Sequence, residues 1–390
     1  MEKLNYRRTF FIGLAFLSIC AFWQMYDNVI PLILQNTFHL NETFTGAIMA
    51  ADNILAVFLL PFFGTLSDKA NTRLGKRTPF IIAGTGVAVL FLMLLPFADK
   101  NQNFIMFVAC LAVLLVAMGF YRSPAVALMP DLTPKPLRSK ANAVINLMGA
   151  VGGVYTLLLI RFLVKGGKRP DYTAVFAGVA FLMAAAVILL VLTVNEKKIA
   201  AEIEKEEIQE EELAGETIAE NTKELPKPVK KSLYMILLSI FFWFAAYNAV
   251  TTAFSRYAVK VWGLEGGGFA DCLMVATVAA IFSYIPIGMI SEKFGRKKCI
   301  QGGLVLLLIS YLSAAFFPTY HPAINIGFVL IGIGWAAISV NSLPMVVEIC
   351  SLGDVGKYTG VYYTFSMAAQ IFTPIFSGFF MQHISYRVLF

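Results

Sequence analysis

Asp27 and Asp52 are carboxylates set inside long apolar runs, the first near Phe10–Leu34 and the second near Phe44–Leu66. An aspartate at the centre of a membrane helix costs roughly 2.5–3.5 kcal/mol on insertion scales, so such groups persist where an ion or substrate path needs them. Counted back from the loop joining the two runs, both lie about 12–13 Å deep at 1.5 Å per residue. Equal depth on adjacent antiparallel helices suits a shared coupling-ion site, because two carboxylates within reach of one another retain one proton near neutral pH. The alternative is that each accepts hydrogen bonds from its neighbours and only ties helices together.

Other polar groups gather in the same kind of setting. Trp23, Gln24 and Tyr26 share the first run with Asp27, and Trp23 at i−4 falls on the aspartate's face. An aromatic plate beside an amide and a carboxylate suits a polyol, whose C–H face stacks while its hydroxyls take directed hydrogen bonds. Asn146, Asn248 and Gln370 stand mid-run in polar stripes; they are substrate candidates, although small and polar residues in membrane helices also act as interhelical glue. Arg122 lies deep in the fourth run, about two turns from Asp131. A buried arginine needs a carboxylate, so pairing with Asp131 or Glu348 in a gate is expected, with direct substrate contact as the alternative.

The elements that must position these groups are membrane helices. The 390 residues are 58% hydrophobic and 14% charged, far from the roughly 25% charged of soluble domains. Eleven apolar runs, from Phe10–Leu34 to Gly360–Met381, are each long enough to cross a hydrocarbon layer needing about 20 residues. They carry glycine and proline and lack the ten-residue alternation of a barrel, so the chain reads as an all-α polytopic membrane protein. With the N-terminus inside, the short inner segments hold fifteen Lys and Arg against eight outside, which predicts a cytoplasmic N-terminus. The net charge of +7 is therefore a topology signal, not a nucleic-acid footprint.

Met1–Arg8 before an apolar run imitates a signal peptide, but the length of that run, Gln24 and Asp27 within it, and the lack of a small-x-small cleavage site before the next loop read rather as an uncleaved first helix. Five cysteines without paired spacing read as packing residues, and three scattered histidines make no metal site. No phosphate loop, zinc helix or nucleophile elbow is present, so no cofactor, metal or catalytic residue is assigned. Nothing requires an oligomer. Between Asn195 and Lys231 lie eleven acids and seven lysines, a solvated tether. The expected division is thus a bundle over 1–194, a charged cytoplasmic linker over 195–231 and a second bundle over 232–390.

The two bundles look like one unit written twice. Gly64-Thr65-Leu66-Ser67-Asp68, continuing through Arg73 to Gly75-Lys76-Arg77, returns 224 residues later as Gly288-Met289-Ile290-Ser291-Glu292, followed by Gly295-Arg296-Lys297-Lys298. Pro124, Asp131 and Arg138 before the fifth run echo Pro344, Glu348 and Lys357 before the eleventh. Equal halves would call for a twelfth helix after Gln382, so a truncation is expected. Each copy of the first motif sits in a basic turn, where Asp68, Arg73, Arg77, Glu292 and Arg296 could form ion pairs that hold one conformation and break in another.

This motif, Gly-x-Leu-x-Asp followed by Arg-x-Gly-Lys/Arg, resembles the signature of the major facilitator superfamily, and the resemblance covers essentially the whole chain. The insertion in the first copy, with Pro79-Phe80-Ile81 after it, is similar to the sucrose–proton symporters and the bacterial glycoside–pentoside–hexuronide–cation symporters. Val126-Ala127-Leu128-Met129-Pro130-Asp131 departs from the plant sucrose pattern, which carries an arginine at its start; here the arginine is Arg122, one turn earlier. The resemblance implies two pseudo-symmetric six-helix bundles in the cell membrane and alternating access. The expected function is cation-coupled uptake, by proton or sodium, of a sugar-like small molecule across the lipid bilayer. A proton-antiporting exporter of drugs or metabolites is the main alternative; a membrane-embedded enzyme or a non-transporting sensor are further ones.

Overall fold

The computed structural model describes residues 4–134, 137–167, 169–203, 227–347 and 355–390. Among them, each of the eleven apolar runs forms a helix: α1 (Tyr6–Asn36), α2 (Glu42–Asp68), α3 (Thr78–Lys100), α4 (Phe104–Asp131), α5 (Arg138–Leu163), α6 (Thr173–Thr193), α7 (Lys227–Lys260), α8 (Phe269–Phe294), α9 (Arg296–Ala315), α10 (Ile324–Val347) and α11 (Val355–His383). A 3₁₀ turn at Tyr386–Leu389 follows. All eleven are long and apolar enough to cross a membrane. Hydrocarbon offers no partner to backbone N–H and C=O groups, so a spanning segment must satisfy them internally.

The linker begins and ends differently from its charge pattern. Residues 196–203 are helical, 204–226 lie outside the described residues, and α7 starts at Lys227 rather than at the first apolar residue, Leu233. Lys227, Lys230 and Lys231 extend the helix beyond the apolar span, where water can solvate them.

The chain forms two compact units. One gathers residues 4–26, 54–164 and 169–203; the other gathers 27–53, 165–167 and the described residues from 227 onward. The hairpin of late α1 and early α2 thus packs with the C-terminal helices, so the packing units do not follow the covalent halves.

Among the helix pairings inside the units, two recur, α3–α4 as α9–α10 and α1–α5 as α7–α11. In the first unit, α3 packs on α4 and α6, and α5 on α6; in the second, α9 packs on α10, α10 on α8, and α7 on α11. Helix α1 meets α5 as α7 meets α11. The α1–α5 contact is backbone against backbone: a Cβ at Gly152 would lie 2.1 Å from the Leu17 carbonyl oxygen. Thr156 Oγ1 donates to the Ala21 carbonyl at 2.9 Å on the same seam. Helix α1 is the most enclosed span, 67% buried, while α8 is only 17% buried and turns Phe282, Ile285 and Met289 outward, as lipid contact requires.

The α1–α5 seam generates a prediction. Gly152→Ala forces the helices apart and should lower the thermal stability of the purified protein in detergent by about 1–3 kcal/mol, the cost of overpacking. Gly86→Ala, on α3 with nothing within 4 Å of the added carbon, should leave the melting temperature unchanged or slightly raised. Equal losses at both positions would show that the seam is not tightly packed.

Candidate functional site

Helix α1 presents one partly accessible stripe in its middle: Phe16, Cys20, Trp23, Gln24 and Asp27, with Ala21, Phe22, Met25, Tyr26 and Asn28 buried between. The spacing is that of a single helical face. Three of the four candidates on this helix therefore share a face. Tyr26 is fully buried behind them: it stacks on Phe22 with centroids 6.1 Å apart and meets the Trp23 ring edge-on at 5.4 Å, so it backs the Trp23 plate. Asp52 is also partly accessible and accepts a hydrogen bond from Asn53 Nδ2 at 2.9 Å.

Helix α4 supplies the cation beside this stripe. The Arg122 guanidinium carbon lies 5.5 Å from the centroid of the Trp23 ring. The preceding residue sets its position: Tyr121 is fully buried, and its hydroxyl donates to the Ala15 carbonyl at 2.8 Å and meets Ser18 Oγ. Arg122 does not pair with Asp131 as expected, since Asp131 is already held by Arg77 and Lys76 at 2.8 and 3.3 Å. The other expected partner, Glu348, lies outside the described residues.

The C-terminal unit carries a second polar and aromatic group. Tyr247 of α7 stacks on Trp335 of α10 with centroids 3.7 Å apart and rings nearly parallel. Asn248 follows Tyr247, and its Nδ2 is buried without a hydrogen-bond partner among the described residues. Gln370 Nε2 donates to the Ser366 carbonyl of its own helix at 3.2 Å. Asn146 is exposed on α5. The stacked pair Tyr247 and Trp335 was not singled out from sequence, since 88 positions separate the two and periodicity relates only neighbours on one helix.

At the end bearing the basic turns, the motif residues form a compact charge cluster. The Arg77 side chain is 5% exposed and pairs with Asp68 and Asp131 while donating to Ser67 Oγ. Glu196, just past α6, completes it: its carboxylate accepts from the backbone N–H groups of Lys76, Arg77 and Thr78 at 2.7–2.8 Å and from Thr78 Oγ1 at 2.6 Å. These donors are the otherwise unsatisfied N–H groups opening α3, where the helix dipole favours a negative charge. Gly75, at φ +114°, makes the turn possible, and a Cβ there would come within 2.3 Å of the Glu196 carboxyl carbon. Arg73 is exposed and forms no ion pair among the described residues. In the second copy, Glu292 is likewise exposed and unpaired there, and Arg296 is half-buried. Glu196 was missed in sequence because it stands among the linker acids.

At the opposite end lies a cluster with no sequence signature. Glu42, opening α2, is buried beside Arg256 of α7, whose Nε is 3.3 Å from Glu42 Oε2, and Lys260 Nζ, 3.2 Å from Oε1. Tyr386 donates its phenol to the same carboxylate. Burial, then the hydrogen bond to Glu42 and the charge of that carboxylate, push the Tyr386 phenol well above its ordinary ionisation range, so it remains a donor. Arg256 is 1% exposed. Thr43 binds Gln382 Oε1 next to this cluster through its backbone N–H and hydroxyl, at 3.1 and 2.6 Å. The hairpin between α1 and α2 is thereby tied to α7 and to the segment around α11.

Comparison with known proteins adds ancestry to this geometry. A family model described as Major Facilitator Superfamily matches residues 12–285 and 269–390. The sucrose transport protein SUC3 of Arabidopsis thaliana is 24% identical over 151 residues, 34% of this chain and 25% of that protein. The general alpha-glucoside permease of Schizosaccharomyces pombe is 26% identical over 238 residues, 55% of this chain and 42% of the permease. The chain thus matches less than half the length of either relative. A crystal structure of a POT family transporter in complex with a thioalcohol-conjugated peptide superposes with a TM-score of 0.70 at 12% identity, covering 99% of this chain and 92% of that one. At that identity the likeness shows the fold.

The basic-end cluster yields a thermodynamic test. In a double-mutant cycle, Arg77→Gln and Asp131→Asn should couple by about 1–3 kcal/mol in the unfolding of the purified protein, because the pair shares one buried network. Glu196→Gln should destabilise on its own, as it removes the charge that caps α3. Strict additivity of the first two changes would mean that their ion pair contributes nothing.

Proposed function

This chain belongs to the Major Facilitator Superfamily, a family of secondary transporters, and we propose that it takes up a sugar or glycoside with a coupling cation by alternating access. The observation that carries the reading is the accessible stripe on α1. Helix α1 leaves Trp23, Gln24 and Asp27 partly accessible along one face, and polar groups held so within a membrane span mark a path for solute or ion. Trp23 offers a plate for the apolar face of a sugar ring and Gln24 a directed hydrogen bond. Asp27, with Asp52, is the coupling-ion site. Partial similarity to a sucrose transport protein and an alpha-glucoside permease supports the substrate class.

Transport of this kind needs a latch between the parts that move. The Glu42–Arg256–Lys260 network serves at the outer face, since it ties the α1–α2 hairpin to α7 and must part for that side to open. It is a discrete ion-paired arrangement, which favours two-state switching over gradual deformation. The Arg77–Asp68–Asp131 network at the basic, cytoplasmic face lies within the first half and fixes its helix ends against one another. Covalent halves at 1–194 and 232–390, joined by the 195–231 linker, are the parts that rock. The setting is the cell membrane, with the N-terminus in the cytoplasm.

Uptake of labelled glucosides into proteoliposomes, with and without a proton or sodium gradient, tests this. Accumulation should require a gradient. Asp27→Asn should reduce gradient-driven accumulation at least about tenfold, equivalent to about 1.4 kcal/mol of lost coupling, while counterflow exchange continues. Accumulation that survives the substitution removes Asp27 from the coupling site, and extrusion of hydrophobic cations in place of sugar uptake would identify an exporter.

A further inference from the structure

The two copies of the basic motif end in different charge balances. In the first, Arg77 is enclosed by Asp68 and Asp131, and Glu196 accepts from the N–H groups that open α3. In the second, Gly295 at φ +87° turns α8 directly into α9, and Lys297 stands where the first copy has Arg77. Lys293, Lys297 and Lys298 are exposed and form no ion pair among the described residues, and Glu292 is exposed and equally unpaired there. Helix α9 opens with no side-chain cap and no acid in its first turn. From Glu292 to Lys298, four cations thus stand against one carboxylate.

The turn also meets the lipid boundary. Phe282, Ile285 and Met289 are exposed at helical spacing on α8, and Lys293 continues that stripe one turn further. Phe294 beside it is 56% exposed, with Lys293 Nζ 5.6 Å from its ring centroid. A Cβ at Gly295 would meet nothing within 4 Å, so the turn is open to approach. Water alone would solvate three ammonium groups, but it gives an exposed phenylalanine nothing to lie against. The headgroup boundary of a bilayer suits both, because it takes an aromatic ring on its apolar side and a snorkelling lysine on its polar side.

We infer that the α8–α9 turn binds the phosphate of an anionic phospholipid in the leaflet it faces, with Lys293, Lys297 and Lys298 around the headgroup and Phe294 at the acyl boundary. The first copy shows the same chemistry met from within the chain: the opening of α3 holds the Glu196 carboxylate. At the opening of α9 the three lysines stand in for that arrangement, and the lipid brings the anion. A zwitterionic headgroup carries its own ammonium and is held less well. The inference is independent of what the protein transports.

The purified full chain is placed in micelles holding equal amounts of phosphatidylglycerol and phosphatidylcholine, and the lipids it retains are counted by native mass spectrometry. Phosphatidylglycerol should be preferred by about tenfold or more, since each lysine at an anionic surface is worth about fivefold. Lys293→Gln, Lys297→Gln and Lys298→Gln together should abolish the preference, and the three Lys→Arg changes should keep it. Each single Gln change should lower it by about threefold to fivefold, so the outcome does not hang on the triple variant folding. Its melting temperature in phosphatidylcholine alone should match the unsubstituted protein, because these lysines hold no ion pair. Phe294→Ala should weaken retention of both lipids and leave their ratio unchanged. Lys69→Gln with Arg73→Gln, at exposed positions of the first turn, should leave the preference intact. No preference in the unsubstituted protein, a preference that survives the triple change, or an equal loss from the first-turn pair overturns the inference. Displacement of phosphatidylglycerol by inorganic phosphate as complete as by excess lipid would identify a site for free anions and overturn the lipid assignment.

Discussion

Hydrocarbon gives a charge nothing to bind, and the polar architecture of this protein follows from that constraint. Each ion pair described within the units gathers several partners around one group. Arg77 has two carboxylates and a hydroxyl. Glu42 has two cations and a phenol. Glu196 has three backbone N–H groups and a threonine. Removing one partner from such a group strands a desolvated charge, which is why buried pairs resist being opened singly and tend to switch as sets.

The same constraint explains the division between quiet and active surfaces. Helices α2 and α8 expose large apolar side chains such as Phe58, Phe62 and Phe282, as a lipid boundary requires. Helix α1 is largely enclosed and leaves Trp23, Gln24 and Asp27 partly accessible in its middle. Close backbone approach at Gly152 and the Tyr121 hydroxyl bonds hold α1 against α5 and α4, so the groups on the stripe are carried by rigid elements rather than by loops. A binding constellation needs that kind of support if small differences between ligands are to become differences in affinity.

Much of the fold was legible because membrane spans are written as long apolar runs, and every one of the eleven became a helix. The repeat was legible in the two motif copies and returns as repeated helix pairings. Site residues were legible only where helical spacing decides. Trp23, Gln24 and Asp27 share a face as i, i+1 and i+4 positions do, and Tyr26, one residue from Asp27, is buried against the Trp23 ring. One of the two expected partners of Arg122 was Asp131, on its own helix; the actual partners of Asp131 are Arg77 and Lys76, more than 50 positions distant.

The amino-acid sequence by itself determined the number of spans, the basic turns and which polar residues lie at membrane depth, because these depend on composition and on the 3.6-residue period alone. Tertiary structure decided which of those groups meet. The Arg77–Asp131, Thr78–Glu196 and Lys260–Glu42 contacts join residues 54, 118 and 218 positions apart. Such contacts depend on which helices lie side by side and at what rotation, and in lipid that is set by close packing of small residues and by shared hydrogen bonds. Those forces act between helices, so no single stretch of chain records their outcome.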